Sequence, residues 1–473
     1  MLKVILTALT LAHGDGLPSK APDAVGMSAS RLESIDRVVQ NGIKAGGYPG
    51  AAVVVGRKGA SVWQKGFGKL SWSTTSSAVE AENTIYDVAS LSKVVGTTTA
   101  IMILFDQNKV DLDAPVFRYL PAFSGGLKDK VRVRDLLTHR SGLPAGRDLW
   151  RKARSPKEAR DMVLSTSLEY RPNEGYIYSD LGADLLGMIV EEVSGQRLDV
   201  FLQRRVFGPL GMYDTFYRPA DSVRYRVAPT EVTPPRGYPL RGEVHDENAY
   251  ALGGIAGHAG LFSTAADLSI FAQMMLNGGT YDGVQILADS TVALFTKRAA
   301  GHRALGWDTA DGDYGSGRYL TERAYGHTGY TGTSIWIDPD REMFVVLLTN
   351  RVHAAKAQRP ARIISDVRSD LSDAAVLAVM DGPTPVLAMP TAFRADQEIG
   401  WTKPKPVRCT KAQRARSARS KRTRVRCASA KTTRAKSAKS KSSRSSTAKK
   451  KTTVKKSTSK KAPSKTSRTA TAR

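Results

Sequence analysis

A serine and a lysine lie three residues apart in the stretch "ASLSKVV", residues 89 to 95, at the start of a long apolar run. The run predicts a helix, and residues three apart on a helix share a face. At its first turn Ser90 would lie near the positive end of the helix dipole, where backbone N–H groups can hold an oxyanion. The pair therefore indicates a serine nucleophile that exchanges its proton with the amine of Lys93. Taken alone the S-x-x-K pattern is weak, because two common residue types recur at this spacing by chance.

Two further polar stretches follow in order along the chain. The second is Tyr178-Ser179-Asp180 in "GYIYSDLG", and the third is His327-Thr328-Gly329 in "GHTGYTG". The ordered set S-x-x-K, Y-x-N and K-T-G or H-T-G resembles the serine β-lactamase and penicillin-binding-protein superfamily, and more narrowly its class C β-lactamase, DD-peptidase and esterase branch. Supporting stretches such as "LLTHRSGLP" and "VHDENAYALGGIAGHAGLFSTAADL" are also similar to this branch, and the resemblance runs from about Pro22 to Met389.

The resemblance implies a role for each matching residue. Ser90 would form an acyl-enzyme, and the backbone N–H groups of Ser90 and Tyr330 would make the oxyanion hole. Lys93 and Tyr178 would share the proton, and which of them is the base stays open. The implied substrate-binding residues are Asp180, His327, Thr328 and Gly329.

Two residues depart from the family pattern. His327 replaces the lysine of the third motif and supplies less positive charge near neutral pH, which makes avid β-lactam hydrolysis a weaker expectation. Asp180 replaces the asparagine of the second motif. If its carboxylate reaches Lys93, it favours the ammonium form and moves the role of base towards Tyr178.

We therefore expect a serine hydrolase without a cofactor, acting first on D-alanyl peptides of peptidoglycan as a D-alanyl-D-alanine carboxypeptidase or related amide hydrolase. A carboxylesterase or a class C-like β-lactamase is the alternative, and an inactive polyanion-binding or scaffold protein is the alternative from another class. The run His245-Asp246-Glu247 invites a metal site, but consecutive residues rarely converge on one ion, so we predict a hydrogen-bonded loop near the cleft and no metal. His139 is predicted to be structural, at a helix end.

The elements that would position these residues follow from periodicity. "SRLE" at Ser30 to Glu33 predicts a capping box that opens an amphipathic helix. "AAVVV" and "ASVWQKGFG" predict one hairpin, and "TSIWI" with "MFVVLLT" predicts another far along the chain. Helical patterns lie between the hairpins, and a last one spans residues 360–379. The prediction is an α+β fold, a three-layer arrangement in which helices flank an antiparallel sheet, with an all-helical subdomain.

The excess positive charge is concentrated in one segment of the chain. The net charge is +27, and residues 401–473 hold 27 Lys and Arg and no Asp or Glu. We expect a hydrolase domain over residues 22–390 and a disordered Lys/Arg/Ser/Thr/Ala-rich tail over 401–473, which would bind anionic envelope polymers, lipid headgroups or nucleic acid, or be dispensable. Both cysteines, Cys409 and Cys427, lie in this tail. Residues 1–14 resemble a short signal peptide, which favours a periplasmic or secreted protein, with a cytoplasmic one as the alternative. Oligomeric state stays open.

Overall fold

The structure is a computed structural model that describes residues 16–312, 315–353, 360–382 and 384–402. The predicted signal peptide, both cysteines and all of the predicted tail after Thr402 lie outside the described residues.

Strands and helices do not alternate along the described chain. The strands are β1 (Gly50–Arg57), β2 (Ala60–Gly68), β3 (Tyr86–Asp87), β4 (Phe216–Tyr217), β5 (Leu261–Ser263), β6 (Thr280–Tyr281), β7 (Val284–Gln285), β8 (Asp308–Thr309), β9 (Tyr325–Thr328), β10 (Ser334–Asp338) and β11 (Met343–Thr349). The helices are α1 (Ala29–Leu32), α2 (Ser34–Lys44), α3 (Thr99–Asp106), α4 (Val133–Leu137), α5 (Leu149–Lys152), α6 (Pro156–Leu164), α7 (Asp180–Ser194), α8 (Leu198–Leu202), α9 (Glu247–Ala251), α10 (Ala265–Leu276), α11 (Asp289–Thr296), α12 (Arg362–Leu377) and α13 (Arg394–Gln397). Helices α3 to α8 follow one another between β3 and β4.

A six-stranded antiparallel sheet in the order β2-β1-β11-β10-β9-β8 forms the middle layer. Its central strands are buried on both faces because side chains alternate between two cores. Val346 of β11 packs into the core that contains α10, whereas the adjacent Val345 packs into the core that contains α2 and α12. Helices therefore cover both faces, as the predicted three-layer fold requires.

The two predicted hairpins that build this sheet are both present. Lys58 and Gly59 form the first turn with positive φ angles of 49° and 81°, which suit a two-residue hairpin. A short 3₁₀ turn over Pro339–Arg341 joins β10 to β11. The distant hairpins meet because β1 pairs directly with β11, so the ends of the folded region lie together and the middle of the chain is an insertion.

The inserted region carries most of the helices, and the predicted α+β fold class is confirmed. It is not purely helical, since a small sheet in the order β3-β5-β4 and the short pair β6–β7 also lie in it. These strands are two or three residues long, too short to show a period of two in the sequence.

The predicted capping box at Ser30 is wrong. Ser28 is the N-cap, its hydroxyl accepts the Arg31 N–H, and the helix is interrupted at Glu33. The physical reason is a long-range contact: the Ser28 N–H donates to the Ala378 carbonyl at 2.8 Å and holds the chain extended up to that residue. The amphipathic pattern itself is correct, because Leu32, Ile35 and Val39 are fully buried.

The folded body continues past the predicted boundary at residue 390. Helix α13 packs against α2 and α12, and Trp401 is buried with its indole N–H 2.8 Å from the Asp366 carboxylate. Trp401 therefore belongs to the folded body rather than to the tail. Among the described residues no helix is long and apolar enough to cross a membrane.

Candidate active site

Ser90 lies where the chain turns sharply into a helix. The preceding Ala89 has a left-handed φ of 48°, which is rare for a residue with a side chain, and its N–H donates to the Asp87 carboxylate at 2.8 Å. The Lys93 N–H donates to the Ser90 carbonyl at 3.0 Å, so Ser90 opens the first helical turn as predicted. The turns that follow, Ser92–Thr98, are π-helical before α3 begins. This local geometry fixes Ser90 at a helix N-terminus.

The residues that follow β9 are hydrogen-bonded to the segment that precedes Ser90. The hydroxyls of Thr331 and Thr333 donate to the carbonyls of Asp87 and Val88 at 2.8 and 2.9 Å. Gly329 is required at this junction, because a Cβ there would lie 2.5 Å from the Val88 carbonyl oxygen. The H-T-G strand and Ser90 are thus held as one unit.

Lys93 is buried beneath Ser90 and has three acceptors. Its Nζ lies 3.0 Å from Ser90 Oγ, 3.0 Å from the His258 carbonyl oxygen and 2.8 Å from Asp180 Oδ1. An ammonium has three N–H groups to donate, and the Tyr178 hydroxyl is a further hydrogen-bond neighbour of Lys93. Burial lowers the pKa of Lys93, but the negative charge of Asp180 and the neighbouring Tyr178 hydroxyl outweigh burial, so the pKa stands above its usual range. Lys93 is therefore held as a cation.

The second motif is positioned by the N-terminus of α7. Ser179 is the N-cap, accepting the Gly182 N–H and donating to the Pro144 carbonyl at 2.6 Å. The next residue, Asp180, is anchored through its N–H to the Ala145 carbonyl at 2.9 Å. Tyr178 therefore precedes the helix on a rigid turn and faces Ser90 across the cleft that both residues line.

Tyr178 is surrounded by two cations and two histidines. The Lys93 Nζ is 5.0 Å from its ring centroid and the Arg303 guanidinium carbon is 5.8 Å from it. The His139 and His327 rings lie 4.5 and 6.0 Å away, centroid to centroid. His139 Nδ1 accepts the Ser179 N–H at 3.1 Å, and burial together with the charge of Arg303 lowers its pKa well below the usual value. His139 is neutral and orients Tyr178, consistent with its predicted structural role.

His327 is buried and neutral. Its Nδ1 donates to the Thr328 carbonyl at 2.8 Å, and its Nε2 lies 3.9 Å from the nearest Asp308 oxygen, too far for a hydrogen bond. Burial, opposed by Asp308 but reinforced by Arg303, lowers the pKa of His327 to about 4. The third motif therefore carries no charge at neutral pH.

A second buried histidine, His258, lies on the other side of Lys93. Its Nδ1 is 2.7 Å from Asp184 and its Nε2 is 3.0 Å from Asp246. Burial lowers the pKa of His258, but these two carboxylates raise it further, and the net pKa is well above the usual value. His258 is an imidazolium, and its carbonyl is the one that accepts from Lys93.

Two chambers adjoin at Ser90, and Tyr178 and Tyr330 also line both of them. The larger, about 630 Å³, is called the basic chamber because three arginines, Arg303, Arg351 and Arg368, outnumber the two carboxylates that also line it. Those carboxylates are Asp308, which pairs with Arg303, and Asp311. The smaller, about 280 Å³, is called the acidic chamber because four carboxylates line it: Asp87, Asp180, Asp246 and Glu247, together with Ser90 and Tyr330.

Every predicted site residue reaches this junction. Ser90, Tyr178, Asp180, His327, Thr328, Gly329 and Tyr330 line one chamber or both, and Lys93 contacts Ser90 directly. The three arginines and the pairing of His258 with Asp184 were not predicted. Their side chains meet the motifs only after long-range folding, and nothing in their local sequence distinguishes them from surface charges.

The His245-Asp246-Glu247 run borders the acidic chamber where a hydrogen-bonded loop leads into α9, which begins at Glu247. The His245 N–H donates to Asp87 at 2.7 Å and its Nε2 is 2.9 Å from Glu231, while Asp246 faces His258. Within the described residues no group of three or more His, Cys, Asp or Glu side chains is arranged to hold a metal ion.

The match to known proteins covers most of the folded body. The family model described as Beta-lactamase matches residues 35–368. A protein of Salmonella schwarzengrund named "Putative D-alanyl-D-alanine carboxypeptidase" is 35% identical over 378 residues, covering 72% of this chain and 87% of that protein.

Solved structures agree on the fold. EstCE1, described as a hydrolase with promiscuous acyltransferase activity, aligns with a TM-score of 0.60 at 21% identity, over 73% of this chain and 99% of its own. A penicillin-binding-protein homologue from Caulobacter crescentus aligns with a TM-score of 0.57 at 21% identity, over 70% and 98%. The chain therefore belongs to the beta-lactamase family and is a serine hydrolase of the β-lactamase and penicillin-binding-protein superfamily.

Proposed function

We propose that this serine hydrolase is a carboxypeptidase that removes the terminal D-alanine from peptidoglycan peptides through an acyl-enzyme on Ser90. The observation that carries the proposal is the basic chamber beside Ser90, where a C-terminal carboxylate finds arginine side chains. The name of the Salmonella relative supports the same substrate class.

Tyr178 is the proposed base in acylation. Lys93 donates to Ser90 Oγ and is held as an ammonium, so it has no lone pair with which to take the serine proton. Tyr178 acts in its phenolate form, since only that form can accept the serine proton, and the positive charges of Lys93 and Arg303 next to its ring stabilise the phenolate before the proton is transferred. Ser90 Oγ attacks the peptide carbonyl as its proton passes to Tyr178, and the oxyanion accepts the N–H groups of Ser90 and Tyr330.

Collapse of this intermediate breaks the peptide C–N bond. The proton held on Tyr178 passes to the leaving nitrogen, and D-alanine departs with its carboxylate in the basic chamber. A water molecule then attacks the acyl-enzyme ester, Tyr178 takes the water proton, and the proton returns to Ser90 Oγ as the acid is released. Lys93 remains charged throughout.

Arg368 is the arginine best placed to bind the carboxylate. Within the described residues its guanidinium donates to two main-chain carbonyls, those of Gly329 at 2.6 Å and Thr333 at 2.9 Å, and forms no salt bridge. Burial, with the charge of Arg351, lowers its pKa to about 9, so it stays protonated at neutral pH. A buried cation that lacks a carboxylate partner favours an anionic ligand.

The test is release of D-alanine from diacetyl-L-lysyl-D-alanyl-D-alanine and from the same peptide with a C-terminal amide. We expect hydrolysis by the wild type, none by Ser90→Ala, and at least tenfold lower kcat/KM for the amide. Arg368→Gln should remove most of that difference. Absence of D-alanine release under conditions in which Ser90 is acylated by other reagents would contradict the proposal.

Small carboxylic esters are the second candidate substrate. The observation in their favour is the neutral His327, which leaves the third motif without the charge that attracts an anionic substrate. An enzyme that turns over p-nitrophenyl butyrate rapidly but no D-alanyl peptide would be an esterase.

We also propose that the enzyme acts outside the cytoplasm, as its peptidoglycan substrate and the leader-like residues 1–14 suggest. The tail is proposed to bind anionic envelope polymers through its Lys and Arg residues. Deleting residues 403–473 should abolish salt-sensitive binding to heparin without changing kcat/KM. If heparin binding survives the deletion, the tail is not the anchor.

A further inference from the structure

A further cavity of about 670 Å³ lies apart from the two catalytic chambers, and among the described residues it shares no lining residue with either of them. It is called here the distal cavity, and its walls are the α5–α6 junction, the segment that follows β4, and α9. Helix α9 borders both sites, because Glu247 at its start lines the acidic chamber whereas Tyr250 and Ala251 line the distal cavity. A ligand in the distal cavity would therefore leave the catalytic chambers unoccupied.

We propose that the distal cavity binds an anionic carbohydrate. The guanidinium groups of Arg154 and Arg218 bind its negative group, and the rings of Trp150 and Tyr250 pack against its sugar ring. The volume of the cavity lies within the range of about 300–1,000 Å³ that is usual for small-molecule sites. This site goes beyond the proposed carboxypeptidase reaction and does not depend on it.

The wall of the distal cavity carries an excess of positive charge. Three arginines line it, and the one carboxylate among its lining residues in the described chain is that of Glu243, which accepts the Tyr238 hydroxyl at 2.8 Å. The third arginine, Arg224, has a carboxylate neighbour 3.0 Å away, but both side chains are exposed and such a pair contributes little. The side chains of Arg154 and Arg218 form no hydrogen bond or salt bridge within the part of the chain that the structure describes. Two cations are thus available to an anionic ligand, and guanidinium groups bind carboxylate and phosphate with paired hydrogen bonds.

Two of these arginines pack on glycines, which limits their freedom. A Cβ on Gly254 would lie 3.3 Å from Arg218 Cγ, and a Cβ on Gly242 would lie 2.9 Å from Arg224 Cγ. Both glycines have left-handed φ angles, of 80° and 76°, which other residues rarely adopt. The aliphatic stems of the two arginines therefore lie close to the backbone, and less side-chain entropy is lost on binding than with unsupported surface arginines.

Two aromatic rings line the same cavity. Trp150 is half-buried and Tyr250 is 39% exposed. The guanidinium carbon of Arg151 lies 4.4 Å from the Trp150 ring centroid, and that of Arg236 lies 4.3 Å from the Tyr250 ring centroid. The side-chain oxygen of Asn248 in α9 accepts the first two N–H groups of α5 at 3.1 and 3.4 Å, which holds the two rings in fixed relative positions. Partly exposed rings suit a sugar, because the C–H groups on one face of the sugar pack on the aromatic ring while its hydroxyls stay in water.

Two negative groups fit this chemistry: a carboxylate, as in a uronic acid, and a phosphate ester. The probes are D-glucose, D-glucuronate and D-glucose 6-phosphate, which share one sugar ring, and each is titrated into the full chain and followed by calorimetry. We expect the dissociation constant of one of the two anionic sugars to be at least tenfold lower than that of glucose, and the preferred sugar identifies the negative group. Absence of binding by both anionic sugars, or equal affinity for all three sugars, would overturn the inference.

The double variant Arg154→Gln/Arg218→Gln tests the assignment of the two cations. We expect it to raise the dissociation constant of the preferred anionic sugar at least tenfold. Arg118→Gln is the matched control, because Arg118 is exposed and lines neither the distal cavity nor a catalytic chamber, and it should leave the affinity unchanged. Every variant carries the basic residues 401–473, so anion binding by these residues is common to all of them. An affinity that survives in the double variant would contradict the assignment.

Arg368→Gln distinguishes the distal cavity from the basic chamber, where an anion could also bind. We expect this variant to bind the preferred sugar as the wild type does, and loss of binding would place the anion in the basic chamber and overturn the inference. The double variant should keep the wild-type free energy of unfolding in urea, since the two replaced side chains are exposed. The titrations require no turnover, so the distal cavity and the carboxypeptidase assignment are tested separately.

Discussion

The two buried histidines that line the cavities at Ser90, His327 and His258, contrast in charge. His258 is clamped between Asp184 and Asp246 and is cationic, whereas His327 has a carboxylate only at 3.9 Å and is neutral. Burial acts on both rings in the same direction. The charge of a buried imidazole here is therefore decided by the carboxylates that touch it, and not by burial or by its place in a motif.

Lys93 resembles His258 in this respect. Both are buried cations whose charge is held by carboxylates, and the two are joined through the hydrogen bond from Lys93 to the His258 carbonyl. Lys93 and His258 are thus charged groups held in place by carboxylates. His327 at the end of β9 is neutral, and the positive charge near it comes from Arg303 and Arg368.

The largest expected effect is on the free energy of unfolding and should come from replacing His258, whose charge is held by Asp184 and Asp246. In His258→Gln the buried Asp184 and the partly exposed Asp246 lose their cation, and we expect the free energy of unfolding at pH 7 to fall by about 3–5 kcal/mol, measured by urea denaturation. His327→Gln is the matched control and should cost about 1 kcal/mol, since the new amide can still donate to the Thr328 carbonyl. Because the pKa of His258 is raised in the folded state, its stabilisation is present below about pH 6.5 and is lost as pH rises through the folded value. Equal costs for the two variants would refute the contrast.

The second largest expected effect is on the free energy of unfolding at acidic pH, and it comes from His327. The pKa of His327 is lowered to about 4 in the folded protein, so the unfolded chain binds a proton that the folded one resists between about pH 6.5 and 4. Folding should therefore lose about 3 kcal/mol across that range from this residue alone. His327→Gln should flatten this part of the stability profile, as measured by urea denaturation at successive pH values. An unchanged slope would mean that His327 titrates normally.

The smallest expected effect is kinetic and concerns the carboxylate that holds Lys93. In Asp180→Asn the largest influence that opposes burial is removed, so the pKa of Lys93 falls and a new ionisation should enter the pH profile of acylation, with a change of roughly tenfold in kcat/KM. Asp161→Asn, an exposed residue of a surface ion pair, controls for the loss of one charge. If the pH profiles of acylation for wild type and Asp180→Asn superimpose, the assignment of Lys93 as a permanent cation is contradicted.

The motif residues could be predicted because each lies at the end of an element where few neighbours are needed to fix it. Ser90 opens a helix, Tyr178 precedes the N-cap of α7, and His327 to Gly329 end a strand. Contacts between residues that are far apart in the sequence could not be predicted from local sequence patterns. The motif change at Asp180 could suggest a contact with Lys93 but not its distance of 2.8 Å, and no local pattern indicated that Arg303 would lie over Tyr178.

The same limit explains the two boundary errors. Ser28 and Ser30 are equally good capping residues, and the choice between them is made by the carbonyl of Ala378, which is distant in sequence. Trp401 lies beside a basic, low-complexity stretch, and its long-range contacts, which are the hydrogen bond to Asp366 and apolar packing with the core of α2 and α12, place it in the folded body. Amino-acid composition describes the average character of a segment, so it does not show that one aromatic residue at its edge, Trp401, belongs to the folded body.

The central claim, that Ser90 is the nucleophile, is tested most directly by intact mass after incubation with a fluorophosphonate and, separately, with a fluorescent penicillin. We expect one adduct per chain with at least one of the two reagents, mapped to the Ser90 peptide and absent in Ser90→Ala. An adduct that persists in Ser90→Ala, or a wild-type protein that neither reagent labels, would contradict it.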